Sequence, residues 1–230
     1  MDRNSNSYTL IYVAAMVIIV AFILAFTAEA LKERKDRNIE IDKKRQILSS
    51  LNIDATSLNA EELYDQYIRK AVAINYRGEE IEGIDALSIA TETEIKNPEE
   101  SRLLPLYIAE KDGKTYYVLS LSGSGFFGPV WGYISLKSDK NTVYGAYFSH
   151  KGETPGLGAE ITKNDFKNRF CGKEIFKNGL FKSIAIVKSG ISVKDRDFVN
   201  GVTGATVTSQ GVAQMLLNSL EAYMGFLTEK

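Results

Sequence analysis

The most prominent feature of the hydropathy pattern is an uncharged apolar stretch near the N-terminus, SYTLIYVAAMVIIVAFILAFTA, at residues 7–28. About 20 such residues in a helix cross a hydrocarbon core roughly 30 Å thick. The alternative is a signal peptide, because Ala28–Ala30 reads Ala-Glu-Ala like a cleavage site. The stretch is longer than the apolar region of a signal peptide, however. We therefore predict an uncleaved transmembrane helix within residues 1–31.

Charged residues mixed with isoleucines follow the membrane segment and predict a juxtamembrane helix or linker over residues 32–52. We interpret this segment as a solvated spacer between the bilayer and a folded domain, residues 53–230. Many of its charges are basic, and by the positive-inside rule they favour a cytoplasmic position for that domain. The charge pattern by itself therefore favours a cytoplasmic domain.

The pattern of the folded domain is mixed. The segment LNAEELYDQYIRKAV, residues 58–72, has the three- and four-residue spacing of a helix, with Leu63, Tyr67 and Ala71 on one face. Later runs of β-branched and aromatic residues predict strands. These runs are ALSIAT, LPLYIAE, TYYVLSL, VWGYISL, TVYGAYF and KSIAIVK. KDGK and SDKN are short turns between neighbouring runs, so the strands pair antiparallel. We predict an α+β domain with a mainly antiparallel sheet flanked by helices.

An apolar stripe at three- and four-residue steps predicts a C-terminal helix packed on a core. Its members are Val212, Met215, Leu216, Leu220, Tyr223, Met224 and Leu227. The polar segment NGVTGATVTSQGV, residues 200–212, therefore leads into a helix N-terminus.

Hydroxyl side chains are concentrated in that polar segment: Thr203, Thr206, Thr208 and Ser209. Helix N-termini attract phosphate, because their first N–H groups lack partners and carry partial positive charge. Helix capping is the alternative interpretation, although a cap requires only one hydroxyl. The residues alone leave both a phosphate-bearing ligand and simple capping open.

Composition limits the chemistry of any site. The chain has one histidine, one cysteine and a net charge of −1. A zinc, haem or iron–sulfur site needs more such ligands, and nucleic-acid binding needs a basic surface. We therefore predict no metal site, no catalytic base or nucleophile and no nucleic-acid partner, and we expect Cys171 to be a small buried side chain. Any electron transfer would need an organic cofactor.

Two further loops are rich in glycine. GSGFFG, residues 123–128, matches a dinucleotide-binding pattern by letter, but the following PVWGYISL predicts a strand where that pattern requires a helix. We interpret it as a turn that allows close approach to the backbone. HKGETPGLGAEI, residues 150–161, is either a connector or part of a site.

Three of these motifs together resemble a known family. TGATVTS followed by a helix resembles the flavinylation motif of the FMN-binding domain found in redox-driven ion pumps. GSGFFGPVWGYISL and ETPGLGAE resemble two further signatures of that domain, in the same order. With the N-terminal span, the layout resembles the C-subunit family of Na⁺-translocating NADH:quinone oxidoreductases, and the related G-subunit family of Rnf complexes is the alternative. The resemblance places the FMN-binding core at about residues 122–224.

The resemblance implies FMN joined through its phosphate, as an ester, to Thr206 by a dedicated flavin transferase. Thr203 stands where many members have serine, and Asn200 stands where members commonly have an acid. The cofactor-binding residues implied by the resemblance are Thr206, Thr203, Gly204, Ala205, Thr208, Glu153, Thr154, Leu157 and Gly158.

The resemblance further implies a protein that relays electrons from NADH towards quinone in a sodium-pumping complex of the bacterial inner membrane. Its partners would be the other membrane subunits and the lipid bilayer, and it would not be catalytic alone. The family places the domain in the periplasm, against the charge pattern, and we adopt that position because large domains cross membranes largely regardless of charge. A non-redox, membrane-anchored module that binds a phosphate ligand is the remaining alternative.

Overall fold

The structure is a computed structural model that describes residues 6–229. Residues 1–5, where the predicted membrane segment 1–31 begins, and residue 230 lie outside the described residues. The chain divides into two compact units with the boundary between Asp42 and Lys43. This boundary falls inside the segment 32–52 that we predict as a linker.

The first unit is helical. Helix α1 spans Asn6–Ser50, and its apolar N-terminal part is exposed on all sides. Among the described residues it is the one helix long and apolar enough to cross a membrane. In a bilayer, lipid would cover the apolar side chains of this part of the helix, which no other part of the described protein buries.

The second unit begins with the last turns of α1, residues 43–50, and holds the remaining elements. Its helices are α2 (Ala60–Tyr67), α3 (Thr91–Glu94), α4 (Asn164–Asn168), α5 (Thr206–Ala222) and α6 (Met224–Thr228). Its strands are β1 (Ile68–Ile74), β2 (Glu80–Ile81), β3 (Leu104–Lys111), β4 (Lys114–Ser124), β5 (Pro129–Lys137), β6 (Val143–His150), β7 (Phe176–Lys177), β8 (Leu180–Phe181), β9 (Ala185–Val187) and β10 (Phe198–Asn200).

The main sheet has six antiparallel strands in the order β2-β1-β3-β4-β5-β6. Strands β3 to β6 follow one another along the chain, as the short turns predict. Asp112 and Gly113 both have positive φ in the turn between β3 and β4, which is the geometry of a tight hairpin. The predicted α+β fold with an antiparallel sheet is confirmed.

Two local predictions are wrong. The helix predicted over residues 58–72 ends at Tyr67, and residues 68–74 form strand β1, in which Ala71 is exposed. The ALSIAT run is not a strand: Ala86–Ser88 form a 3₁₀ turn and Thr91 begins α3. Short apolar runs do not distinguish strand from helix, because pairing with a distant strand outweighs local preference.

Helix α5 packs on one face of the sheet, mainly against β4. The predicted apolar stripe is confirmed along α5, where Val212, Leu216 and Leu220 are fully buried. The single helix predicted through Leu227 is interrupted, because α5 ends at Ala222 and Met224 and Leu227 lie in α6. A Cβ on Gly123 would lie 2.6 Å from Met215 Cβ, so only glycine allows the helix to approach β4 this closely.

The opposite face of the sheet receives the end of α1. Ile47 and Leu48 are 0% exposed, and Ser135 on β5 donates a hydrogen bond of 2.6 Å to Ser50 O. Side chains alternate across a strand, so Ser135 faces away from its buried neighbour Ile134 on the α5 side. The last turns of α1 are therefore part of the core, which corrects our interpretation of residues 32–52 as a solvated spacer.

The prediction that Cys171 is buried is also wrong, because Cys171 is exposed.

A buried tyrosine closes the gap where β3 and β4 separate. The ladder between these strands ends at Leu106 and Leu119. Just beyond it, the Tyr223 hydroxyl donates to Pro105 O at 2.7 Å and accepts from Ser120 N at 3.2 Å. Burial raises the pKa of Tyr223 well above its ordinary value, so the hydroxyl stays protonated and keeps its donor role.

We expect Tyr223→Phe to lower the free energy of unfolding by about 1–3 kcal/mol, because it leaves a buried N–H and a buried carbonyl without their partner. Urea unfolding of the full chain in detergent, followed by the fluorescence of the single tryptophan, measures this change. Tyr117→Phe is the matched control, since its hydroxyl has no hydrogen-bond partner within residues 6–229. An equal loss in both variants would contradict the assigned role of the Tyr223 hydroxyl.

Candidate functional site

The loop before α5 is set between a short parallel strand pair and the helix. Strand β10 pairs with β9, and the pairing continues in a hydrogen bond of 2.7 Å from Gly201 N to Val187 O. Gly204 then turns the chain with a φ of 79°, a value that side chains disfavour. Helix α5 begins at Thr206, and no side chain caps its N-terminus from the cap position Ala205.

The four hydroxyls of this segment divide into two pairs. Thr208 and Ser209 are buried, and both make hydrogen bonds within the protein. Thr203 and Thr206 are exposed. Only the second pair is available to a ligand, so burial resolves the excess of hydroxyls seen in the sequence.

The first turn of α5 presents backbone donors. The N–H groups of Thr206, Val207 and Thr208 have no acceptor within residues 6–229, and the first helical bond comes from Ser209 N to Ala205 O at 2.9 Å. These donors point along the helix axis with its partial positive charge. The exposed Thr206 hydroxyl is therefore attached to a site that favours an anion.

A buried carboxylate supports the helix start. Glu153 is 5% exposed, and its Oε2 accepts a hydrogen bond of 2.7 Å from Thr208 Oγ1. Its Oε1 accepts from Phe127 N at 2.8 Å, and its own N–H donates to His150 Nδ1 at 3.1 Å. One side chain thus joins three separate segments: the β4–β5 turn, the loop after β6 and the first turn of α5.

Glycines make room for this carboxylate. A Cβ on Gly125 would lie 2.4 Å from Glu153 Oε1. A Cβ on Gly158 would lie 2.3 Å from Glu153 Oε2 and 2.6 Å from Thr208 Oγ1. The glycine-rich turn at residues 123–128 does admit a close approach, as predicted, and the approaching groups are Glu153 and helix α5. Strand β5 follows the turn, in agreement with the interpretation that it is not a dinucleotide-binding motif.

Hydrogen bonding keeps Glu153 ionised. Burial acts to raise its pKa, but the bonds from Thr208 Oγ1 and from the backbone N–H groups of Phe127 and Phe126 outweigh burial. The pKa of Glu153 consequently lies below its ordinary value. Its negative charge lies against Thr208, the third residue of α5, and there it also complements the positive end of the helix dipole.

Apolar side chains lie exposed around the loop. Phe126 and Phe127, at the tip of the β4–β5 turn, are 59% and 58% exposed and pack edge to face with ring centroids 4.4 Å apart. Leu157 is 42% exposed, and its Cδ2 lies 2.9 Å from the position of a Cβ on Gly204. Val207 is 52% exposed. Apolar side chains exposed beside a polar loop are typical of a ligand or partner site.

Two clefts meet at the loop. The first, about 530 Å³, is lined by Thr203, Gly204 and Thr206 together with nine residues outside the predicted set of cofactor-binding residues. These are Ile186, Val187, Lys188, Ser189, Ile191, Gly201, Val202, Ser209 and Gln210. The second cleft, about 510 Å³, shares Thr203 and lies towards α4.

Lys188 is the most informative of these nine residues, because it brings a cation to the cleft that Thr206 lines. The predicted strand KSIAIVK ends at Lys188, yet its pairing with the strand before the loop is parallel and has no local signature. From the sequence, Lys188 could be recognised only as a lysine at the end of a predicted strand, which does not indicate that it lies near Thr206.

The predicted site residues thus take different places. Thr203, Gly204 and Thr206 line the first cleft, whereas Ala205, Thr208, Glu153 and Gly158 are buried beside or behind it. Thr154 and Leu157 are exposed on the loop after β6, outside the lining of either cleft. Asn200 is exposed and lines the second cleft.

Comparisons with known proteins identify the domain that contains this loop. The family model of the FMN-binding domain matches residues 125–221. The C subunit of the Na(+)-translocating NADH-quinone reductase of Vibrio vulnificus is 27% identical over 228 residues, covering 92% of this chain and 89% of the relative. The C subunit of the same reductase from Haemophilus ducreyi is 29% identical over 227 residues, covering 92% and 88%.

Solved structures extend the comparison. The crystal structure of the C subunit of Na(+)-translocating NADH-quinone reductase from Parabacteroides distasonis is 47% identical, with a TM-score of 0.83, and covers 87% of this chain and 98% of that one. NqrC of Shewanella oneidensis shares the fold, with a TM-score of 0.69 at 24% identity, covering 84% of this chain and 97% of that one.

We expect Glu153→Gln to lower the free energy of unfolding by about 2 kcal/mol at pH 7. The glutamine amide has one oxygen and one NH₂ group, so either Phe127 N or Thr208 Oγ1 would face another donor in place of an acceptor. The folded pKa of Glu153 is lowered, so its contribution is fully present above its ordinary pKa of about 4.5 and is lost as pH falls through the lower folded value. The difference between wild type and variant should therefore shrink below about pH 4.5.

Urea unfolding from pH 7 downward measures that difference. Glu160→Gln is the matched control, because the Glu160 side chain makes no hydrogen bond within residues 6–229. A pH-independent difference for Glu153→Gln would contradict an ionised Glu153.

Proposed function

Because the chain belongs to the family of C subunits of Na(+)-translocating NADH-quinone reductases, we propose that it carries FMN covalently through a phosphoester at Thr206 and relays electrons within such a complex. The chain is accordingly one of the subunits of an oxidoreductase complex, with an FMN-binding domain. The observation that carries the proposal is the exposed Thr206 hydroxyl at the start of α5, beside backbone donors that have no acceptor in the part of the chain that the structure describes.

The residues fit the phosphate of FMN. The phosphoester retains a negative charge, and the N–H groups of Thr206, Val207 and Thr208 with the helix dipole stabilise an anion at that position. Lys188 lines the same cleft and makes no ion pair within residues 6–229, so its ammonium group is available to the phosphate. Thr203 adds an exposed hydroxyl on the same loop.

The first cleft also fits the rest of the cofactor. Its volume of about 530 Å³ lies within the roughly 300–1,000 Å³ typical of cofactor pockets. Ile186, Ile191 and Val202 give it apolar walls beside its polar rim. When bound, FMN supplies one- and two-electron transfer, and the protein contributes position and electrostatics.

We assign the remaining predicted residues to two groups. Leu157 and Thr154 line neither cleft, so we assign them, with the Phe127 turn, to an exposed rim that would cover the part of the flavin that projects from the first cleft. Glu153, Gly158 and Thr208 act from behind: the carboxylate joins the wall segments to the first turn of α5. Gly204 and Ala205 shape the loop that presents Thr206.

The proposal extends to the cellular setting. The apolar part of α1 would anchor the protein by a single pass through the bacterial inner membrane and contact the lipid bilayer and the other subunits of the complex. The domain would face the periplasm, where a flavin transferase would load Thr206, because domains of this size translocate largely regardless of flanking charge. Electrons would pass from NADH towards quinone in a complex that pumps sodium. The names of the relatives favour this function over that of the G subunit of an Rnf complex.

We expect Thr206→Ala to abolish covalent flavin, because the variant lacks the oxygen that forms the ester. The full chain is co-expressed with a flavin transferase, denatured, and examined by in-gel flavin fluorescence and by the mass of the peptide that contains residue 206. Thr203→Ala is the matched control for the site of attachment: it removes the other exposed hydroxyl of the loop, and the flavin that it carries should still be on the peptide that contains residue 206. Thr206→Ser should also keep it.

Flavin on the Thr206→Ala protein, or a wild-type peptide without the FMN-phosphate mass, would contradict the proposal. Colourless wild-type protein after denaturation would instead favour the alternative of a module that binds a phosphate ligand reversibly.

A further inference from the structure

Arg169 lies outside the loop that leads to Thr206 and contacts its backbone. Arg169 is the residue that follows α4, and its Nη1 donates to Asn200 O at 2.8 Å and to Gly201 O at 3.3 Å. Its Nη2 forms an ion pair with Asp165, one turn earlier. The planar guanidinium therefore connects α4 to the point where β10 becomes the loop, and the ion pair orients the donor group.

The remaining support of the loop comes from the hydrogen bonds of residues 200–205. Gly201 N donates to Val187 O, and Val202 N donates to Ser209 Oγ at 3.0 Å. Ala205 N donates to Val202 O, within the loop itself. Among the described residues, Arg169 is thus the one side chain outside the loop and α5 that holds the loop in place by hydrogen bonds.

We propose that Arg169 is a positioning residue, which holds the loop of residues 200–205 so that the Thr206 hydroxyl is preorganised for esterification and the bound phosphate is held at the start of α5. This inference rests on the function proposed above. Arg169 lines the second cleft and is absent from the lining of the first cleft, which contains Thr206. Its effect is on the freedom of the loop: a loop already ordered loses less entropy when the transferase binds it.

The step under test transfers the FMN part of FAD: Thr206 Oγ1 bonds to the phosphorus of the FMN phosphate, the pyrophosphate bond of FAD breaks, and AMP and the hydroxyl proton leave. The test measures this flavin loading of the full chain in detergent by a purified flavin transferase with FAD, as initial rates over a range of chain concentrations. Arg169→Met keeps the length of the side chain and removes its donors, and we expect it to lower kcat/KM for loading roughly tenfold, as for a lost hydrogen bond from a charged group. Arg169→Lys retains one charged donor without the planar fork and should fall between wild type and Arg169→Met.

The matched control is Arg102→Met. Arg102 also donates to backbone carbonyls, those of Glu94, Ile95 and Asn97, but in the segment between α3 and β3. Its loss should lower the thermal unfolding midpoint and leave loading at the wild-type rate. Amide hydrogen exchange of the unmodified chain gives an independent readout: Arg169→Met should speed exchange at Gly201 and Val202, and Arg102→Met should not.

The outcomes separate the two proposals. Loading of Arg169→Met at the wild-type rate overturns the positioning role and leaves the proposed function intact. An equal loss of loading in Arg102→Met would mean that reduced stability, not loop position, explains the effect, and also overturns it. Wild-type chain that takes no flavin at Thr206 overturns the proposed function, and the positioning role with it.

Discussion

The site depends on one buried carboxylate. Glu153 has both oxygens bonded to protein donors, Thr208 Oγ1 and Phe127 N, and is almost fully buried. A charge in such a place is stable only while its hydrogen bonds are kept, since hydrogen bonds to charged groups contribute about 1.5–3 kcal/mol each and their loss leaves a buried charge without compensation. The turn after β4, the loop after β6 and the start of α5 are therefore fixed relative to one another.

This constraint explains the sequence around it. Gly125 and Gly158 stand where a Cβ would occupy the space of the carboxylate, so each of two motifs far apart in the chain has one glycine for the same reason. Thr208 uses its hydroxyl on Glu153, and Ser209 uses its own on the loop backbone. The hydroxyl of Thr206 is left exposed at the helix start, where an anion is stabilised.

The sheet holds this arrangement at one edge of a packed core. Helix α5 buries its apolar stripe against β4, and the last turns of α1 bury Ile47 and Leu48 on the other face. With both faces covered, the direction of α5 is set by packing along its length. The helix can then begin with Thr206 and Val207 exposed and without a side-chain cap from Ala205, because burial of the stripe, and not the cap, stabilises the helix.

By itself, the sequence determined the features that follow from short-range periodicity. These are the membrane-length helix, the hairpins of β3 to β6, the stripe of α5 and the place of Thr206 at a helix N-terminus. Tertiary structure alone decided the partner of Glu153, 55 residues from Thr208, the parallel pairing that brings Lys188 to the cleft, and the contact of Arg169 with the loop. Repeating spacing reports which face of an element is apolar, whereas single polar contacts between distant segments depend on how the elements pack and leave no period in the chain.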